Sequence, residues 1–86
     1  MPRGRSNLHS SRYKRLLTLL VRARVEAEFT QVEVSHRLKK PQSRISKSER
    51  GERRIDPTEL EDLAELYGKD LSYFRTRRQA RRLRSL

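Results

Sequence analysis

Pro41 constrains this chain more than any other residue. Its ring removes a backbone donor and pushes Lys40 away from helical dihedrals, so no straight helix runs through this point. Helical signals nevertheless crowd both sides of it. Upstream, Thr30 is a good N-cap and Glu33 stands three residues later, the spacing of a capping box, with Val34, Ser35 and Leu38 sharing an inner face. Downstream, the helix restarts at or just after Pro41 and stops before Gly51. On a helical wheel centred on Ile45, residues 48 and 49 fall on the inner side, whereas Ser43, Ser46, Lys47 and Arg50 cluster on the opposite one. The centre of the chain is therefore two helices of about two turns each joined by a tight turn, the second carrying a single aliphatic anchor and a polar, basic exterior.

The flanks supply the rest of a core. Ser10 or Ser11 can cap a first helix running to about Ala27, in which Leu16, Leu17, Leu20 and Val21 recur on one side and Arg24 lies one turn beyond Leu20. The fourth helix is the best marked: Asp56 at the N-cap, Pro57 at the first position, Glu59 completing a box and Gly68 as the stop. Leu60, Leu63, Ala64 and Tyr67 line its inner face, with Glu61, Asp62 and Glu65 outside. Asp70 can cap a last short helix in which Leu71 and Phe74 close the core. The expectation is an all-α, compact five-helix domain over residues 10–74, preceded by a flexible basic arm, residues 1–9, and followed by an Arg-rich tail, residues 75–86. A chain of 86 residues makes one small domain and buries only about 60% of its unfolded surface.

Charge is distributed unevenly. The net charge is +11, but residues 1–15 hold five basic residues and no acid, residues 75–86 hold six Arg and no acid, and the span between is neutral. Within that span, residues 37–54 carry eight basic against two acidic side chains, and residues 56–70 carry six acidic against one basic. The folded unit thus has a positive pole suited to a polyanion such as nucleic acid.

Other chemistry is poorly supported. There is no cysteine, which excludes disulfides, thiolate metal sites and thiol nucleophiles. His9 and His36 are too few and too far apart for a metal site, so no metal or cofactor is expected. The carboxylates Glu59, Glu61, Asp62 and Glu65 alternate with core leucines and read as a solvated helix face, while Tyr67, Tyr73 and Phe74 read as core. No Ser/His/Asp set or Gly-rich phosphate loop is present, and an enzyme is not expected. The apolar run Leu16–Val21 is far short of the roughly 20 residues that span a bilayer, and no apolar stretch follows the N-terminal charges as in a signal peptide.

The stretch from Phe29 to Phe74, with the first helix ahead of it, resembles the phage lambda repressor and Cro-like helix-turn-helix family over roughly residues 20–74. Eleven positions match the family pattern in register: Thr30, Gln31, Val34, Ser35, Leu38, Gln42, Ser43, Ile45, Ser46, Glu49 and Gly51. The resemblance implies a helix-turn-helix at about 30–50 whose second helix enters the major groove by its N-terminal part, with the preceding helix across the backbone. It implies that Gln42 reaches a base edge, where an amide can pair with adenine N6 and N7, and that Gln31 braces Gln42 or donates to a phosphate. Ser43, Arg44 and Lys47 would occupy the other base-facing positions, Ser46 would belong to the same DNA-binding face, and Arg50, Arg53 and Arg54 would hold phosphates. It also pairs Arg24 with Glu49 in a partly buried ion pair. Three positions depart from the pattern: Glu28 and Lys39 stand where the family usually has glycine, and Ser48 where it often has a large apolar residue.

These readings point to a sequence-specific transcriptional regulator of the bacterial cytoplasm or nucleoid, a repressor bound to double-stranded DNA as a homodimer. The competing reading keeps the fold and changes the partner, making it an antitoxin or antiactivator that binds another regulator through the acidic helix 59–65. A third reading assigns RNA or nonspecific binding to the Arg-rich tails.

Overall fold

The computed structural model describes residues 10–76. The basic arm and the tail beyond Thr76 lie outside the described residues. Four α-helices follow one another: α1 Ser11–Glu26, α2 Gln31–Leu38, α3 Gln42–Glu49 and α4 Pro57–Tyr67. A single 3₁₀ turn, Leu71–Phe74, stands where a fifth short helix is expected, and there is no strand among the described residues. The Asp70 carboxylate accepts from the Ser72 hydroxyl at 2.6 Å and caps no backbone N–H. The tight turn nevertheless delivers Phe74, which is buried, to the core.

Local signals explain where each helix begins. Ser10 caps α1 by accepting from the Tyr13 N–H. Thr30 with Glu33, and Asp56 with Glu59, form complete capping boxes at α2 and α4. All four helices then end in one way, with a left-handed residue and a backbone hydrogen bond reaching five residues back. The left-handed residues are Glu28, Lys39, Gly51 and Gly68, and the bonds run from Phe29 to Arg24, Lys40 to Ser35, Glu52 to Lys47 and Lys69 to Ala64. Glu28 and Lys39 adopt φ of 63° and 58° without being glycine, a strain of about 1–2 kcal/mol each for an L-residue. Gly51 is constrained further, because a Cβ there would meet Leu17 Cδ1 at 3.2 Å.

Helix α1 is the spine. Tyr13, Leu17, Leu20 and Ala23 are its buried line, and they meet Val34 of α2, Ile45 of α3, Leu63, Ala64 and Tyr67 of α4, and Phe74. Leu20 and Val34 are the largest fully buried side chains, each stabilising the fold by about 1.5–3 kcal/mol. The buried line is centred differently from the Leu16–Val21 stripe of the sequence. With α3, α4 and the 3₁₀ turn all packed on α1, Tyr13 and Ala23 are enclosed while Leu16 and Val21 stay at the margin. The Tyr13 hydroxyl also accepts the Ile55 N–H at 3.1 Å, tying α1 to the segment before α4.

Candidate nucleic-acid interface

Helices α2 and α3 pack together across the turn at Lys39–Pro41. Ile45 and Ser48 bury the inner face of α3. The outer face, formed by Gln42, Ser43, Lys47 and Arg50, is exposed, with Ser46 half-buried beside it. At the N-terminus of α3, Pro41 makes no side-chain cap and the first turn holds no acid. The Arg44 N–H donates to the Pro41 carbonyl at 3.0 Å, and no side chain of α3's first turn or its N-cap neutralises the positive end of the helix dipole.

A polar chain runs from this face into the protein. Gln42 Nε2 donates to Gln31 Oε1 at 3.2 Å, and Gln31 Nε2 donates to Glu49 Oε1 at 2.8 Å. Glu49 also receives Arg24 Nε at 2.8 Å and Arg24 Nη2 at 3.2 Å, while Arg24 Nη1 donates to the Phe29 carbonyl at 2.9 Å. The Arg24 and Glu49 side chains are 15% and 10% exposed. Both ions are well supplied with partners, the condition under which a buried pair is tolerated. Burial first, and the Glu49 charge second, raise the pKa of the neighbouring Tyr67 phenol, which stays neutral.

The arginines divide into groups that the sequence does not separate. Arg50 meets Glu52 through two hydrogen bonds of 3.0 Å and reaches Ser46 Oγ at 2.6 Å. The hydrogen bond to Arg50 is the largest influence lowering the Glu52 carboxyl, and the same contact raises Arg50. This pair is exposed and contributes little to stability. Arg44 lies on the flank of α3 facing α4, with Nη2 3.3 Å from Glu59 Oε2. Arg53 Nη1 donates to Glu59 Oε1 at 3.0 Å and to Ser48 Oγ at 3.2 Å. Burial works to raise the Glu59 carboxyl, but the hydrogen bonds from Arg53 and the Asp56 N–H, with the Arg53 and Arg44 charges, outweigh it and lower the pKa. Arg54 lies apart, its guanidinium 4.4 Å over the Tyr13 ring.

Gln31, Gln42, Arg24 and Glu49 are thus joined in one network, and Ser43, Ser46, Lys47 and Arg50 share the outer face of α3. Arg44 and Arg53 converge instead on Glu59, a residue read from sequence only as a capping partner and part of a solvated face. Its side chain is 15% exposed. No local signal marks this second role, because the two arginines arrive from other segments. Glu52 also went unread as a partner, although its position two residues after Arg50 was a usable hint.

The sequence model of the helix-turn-helix family matches residues 20–74. The chain belongs to the lambda repressor/Cro-like helix-turn-helix family. The match takes in both helices of the motif, the Gln42–Gln31–Glu49–Arg24 chain and α4. No curated protein and no solved structure matches the chain. Among the described residues, no helix of this family member is long and apolar enough to cross a membrane.

Proposed function

We propose that this helix-turn-helix protein is a sequence-specific DNA-binding transcriptional regulator that reads the major groove with α3. One observation carries the reading: the exposed Gln42 amide at the open N-terminus of α3 is braced through Gln31 onto the internal Glu49–Arg24 pair. A braced amide loses less conformational freedom on binding, and its remaining donor and acceptor suit adenine N7 and N6. Ser43, Ser46 and Lys47 extend the same face. Arg50 opens from its screened pair with Glu52 to reach a phosphate, and Arg54 supplies a further backbone contact.

A helix of eight residues reads few base pairs. The protein therefore acts as a homodimer on a pseudo-palindrome with half-sites about 34–36 Å apart, and it represses by occluding the promoter. Selection of random duplexes on the purified protein at about 0.15 M salt, near physiological ionic strength, tests this reading. Enrichment of a palindrome with half-sites one turn apart is the expected result, and absence of any enriched sequence overturns it. The antitoxin or antiactivator reading draws on the exposed carboxylates Glu61, Asp62 and Glu65 of α4. Charge reversal there would then disrupt a protein complex while leaving DNA binding intact.

A further inference from the structure

We propose that Glu59 is a positioning residue that withholds Arg44 and Arg53 from DNA in the unbound protein and so sets how many cations the interface offers. The inference rests on the DNA-binding reading above.

Glu59 divides its two oxygens among three donors. Oε1 accepts from the Asp56 N–H at 3.2 Å and from Arg53 Nη1 at 3.0 Å, and Oε2 faces Arg44 Nη2 at 3.3 Å. Two guanidinium groups drawn from α3 and from the segment before α4 are thereby held on the first turn of α4. The carboxylate is sheltered, with the Glu59 side chain 15% exposed against 52% for Glu52, and its partners Arg44 and Arg53 are 36% and 30% exposed against 56% for Arg50. Salt and water screen the Arg50 pair far more than they screen the Glu59 pairs.

Arg44 is not comfortable where it sits. Its Nε is buried without a hydrogen-bond partner among the described residues, so the attraction of Glu59 offsets an unsatisfied donor. A phosphate would offer Arg44 a bidentate acceptor and relieve that donor. Arg44 and Arg53 are therefore a reserve of positive charge, masked by one carboxylate, beside a face whose other cations, Lys47 and Arg50, are exposed.

The substitution Glu59→Gln separates the two roles of this side chain. Glutamine serves at this position of a capping box as glutamate does, but it removes the charge that holds the arginines. The test titrates a mixed-sequence duplex of about 24 base pairs, long enough for two half-sites, with wild type, Glu59→Gln and the double variant Glu59→Gln/Arg44→Ala. Salt is varied from about 0.05 to 0.2 M, and thermal melts show that each variant is folded. Glu59→Gln is expected to bind more tightly than wild type, with a log K against log salt slope steeper by about 1.8, or about 0.9 for each arginine released. Its advantage over wild type then grows about tenfold from the high-salt to the low-salt end. Adding Arg44→Ala takes back about half of the steepening. A wild-type protein that binds with the same slope as Glu59→Gln overturns the inference alone, as does a Glu59→Gln protein that binds more weakly. A wild-type protein that binds no duplex overturns the DNA reading and the inference with it.

Discussion

Helix α4 is capped by Asp56 and Glu59, starts on Pro57 and ends on Gly68, whereas α3 starts on Pro41 with no side-chain cap and ends its last turn on the Glu49 network. The two helices are close in sequence, yet they are stabilised in different ways. The limits of α4 are set locally, within a few residues of either end, while Leu63, Ala64 and Tyr67 hold it on the core. Helix α3 borrows its stability from elsewhere: Ile45 and Ser48 are buried against the domain, and Glu49 is tied to Arg24 and Gln31. The difference is that α3 is anchored at its C-terminal end and along its inner face. Its N-terminus carries no side-chain cap, while that of α4 is closed by a complete capping box.

Breaking the anchor of α3 should give the largest effect. Glu49→Ala leaves the mostly buried Arg24 without its carboxylate, at a cost of about 3–5 kcal/mol. A drop in Tm of at least about 12 °C is expected, at roughly 4 °C or more per kcal/mol for a domain of this size. A variant melting within a few degrees of wild type would show that α3 is held by its apolar contacts alone.

Gln42→Ala tests the open end of α3. It should leave Tm unchanged and cost about 1–3 kcal/mol of discrimination at one base pair of the selected site. Equal loss on specific and random duplexes would remove Gln42 from base reading.

On α4 the ranking reverses. Asp56→Ala removes the acceptor for the Glu59 N–H and should lower stability by about 1 kcal/mol, within the range of measured cap deletions, with little change in DNA affinity. Urea melts and duplex titrations of the same sample compare the two effects directly. A pH series probes the same end. Asp56 is lowered first by the backbone hydrogen bond from Glu59 and then by the Thr58 hydroxyl, and Glu59 is also lowered. Carboxylates with depressed folded-state pKa contribute stability above their unfolded values, about 3.9 and 4.3, and lose it as pH falls through the folded ones. Melting temperature should hold from pH 7 to about 5 and decline below about 4. In Asp56→Ala/Glu59→Gln that decline should be shallower.

The smallest effect is expected at the turn between α2 and α3. Lys39→Gly relieves the left-handed strain at φ 58°, but it adds freedom to the unfolded chain, so a gain of less than about 1 kcal/mol is expected. A loss of stability would mean that the lysine side chain makes up for its backbone there.

Much of the fold was legible because helix boundaries are local events. Thr30 with Glu33, Asp56 with Glu59, Pro41 and Gly68 act within three or four residues of themselves, so their spacing alone located α2, α3 and α4. The inner faces followed from periodicity, with Val34, Ile45, Leu63 and Tyr67 buried as their registers require. The centre of the α1 stripe was not legible, because it depends on which neighbours flank the helix. The fifth element was placed correctly, but its 3₁₀ form was not, since Asp70 takes the Ser72 hydroxyl in place of a helical cap.

The sequence by itself determined the order and limits of the helices and the inner faces of α2, α3 and α4, together with the polar outer face of α3. The family resemblance pointed to Arg24 with Glu49, but composition and periodicity could not, and tertiary structure decided how the remaining distant charges pair. Arg24 and Glu49 are 25 residues apart, Gln31 and Glu49 are 18, and Gln31 and Gln42 are 11. Composition and periodicity count Arg44, Arg50, Arg53 and Arg54 as equivalent cations. Helix packing puts two of them on Glu59 and one over an aromatic ring, while Arg50 meets Glu52 locally, two residues on. A charge is available to a ligand only in proportion to what already neutralises it, and that is set by where the helices cross.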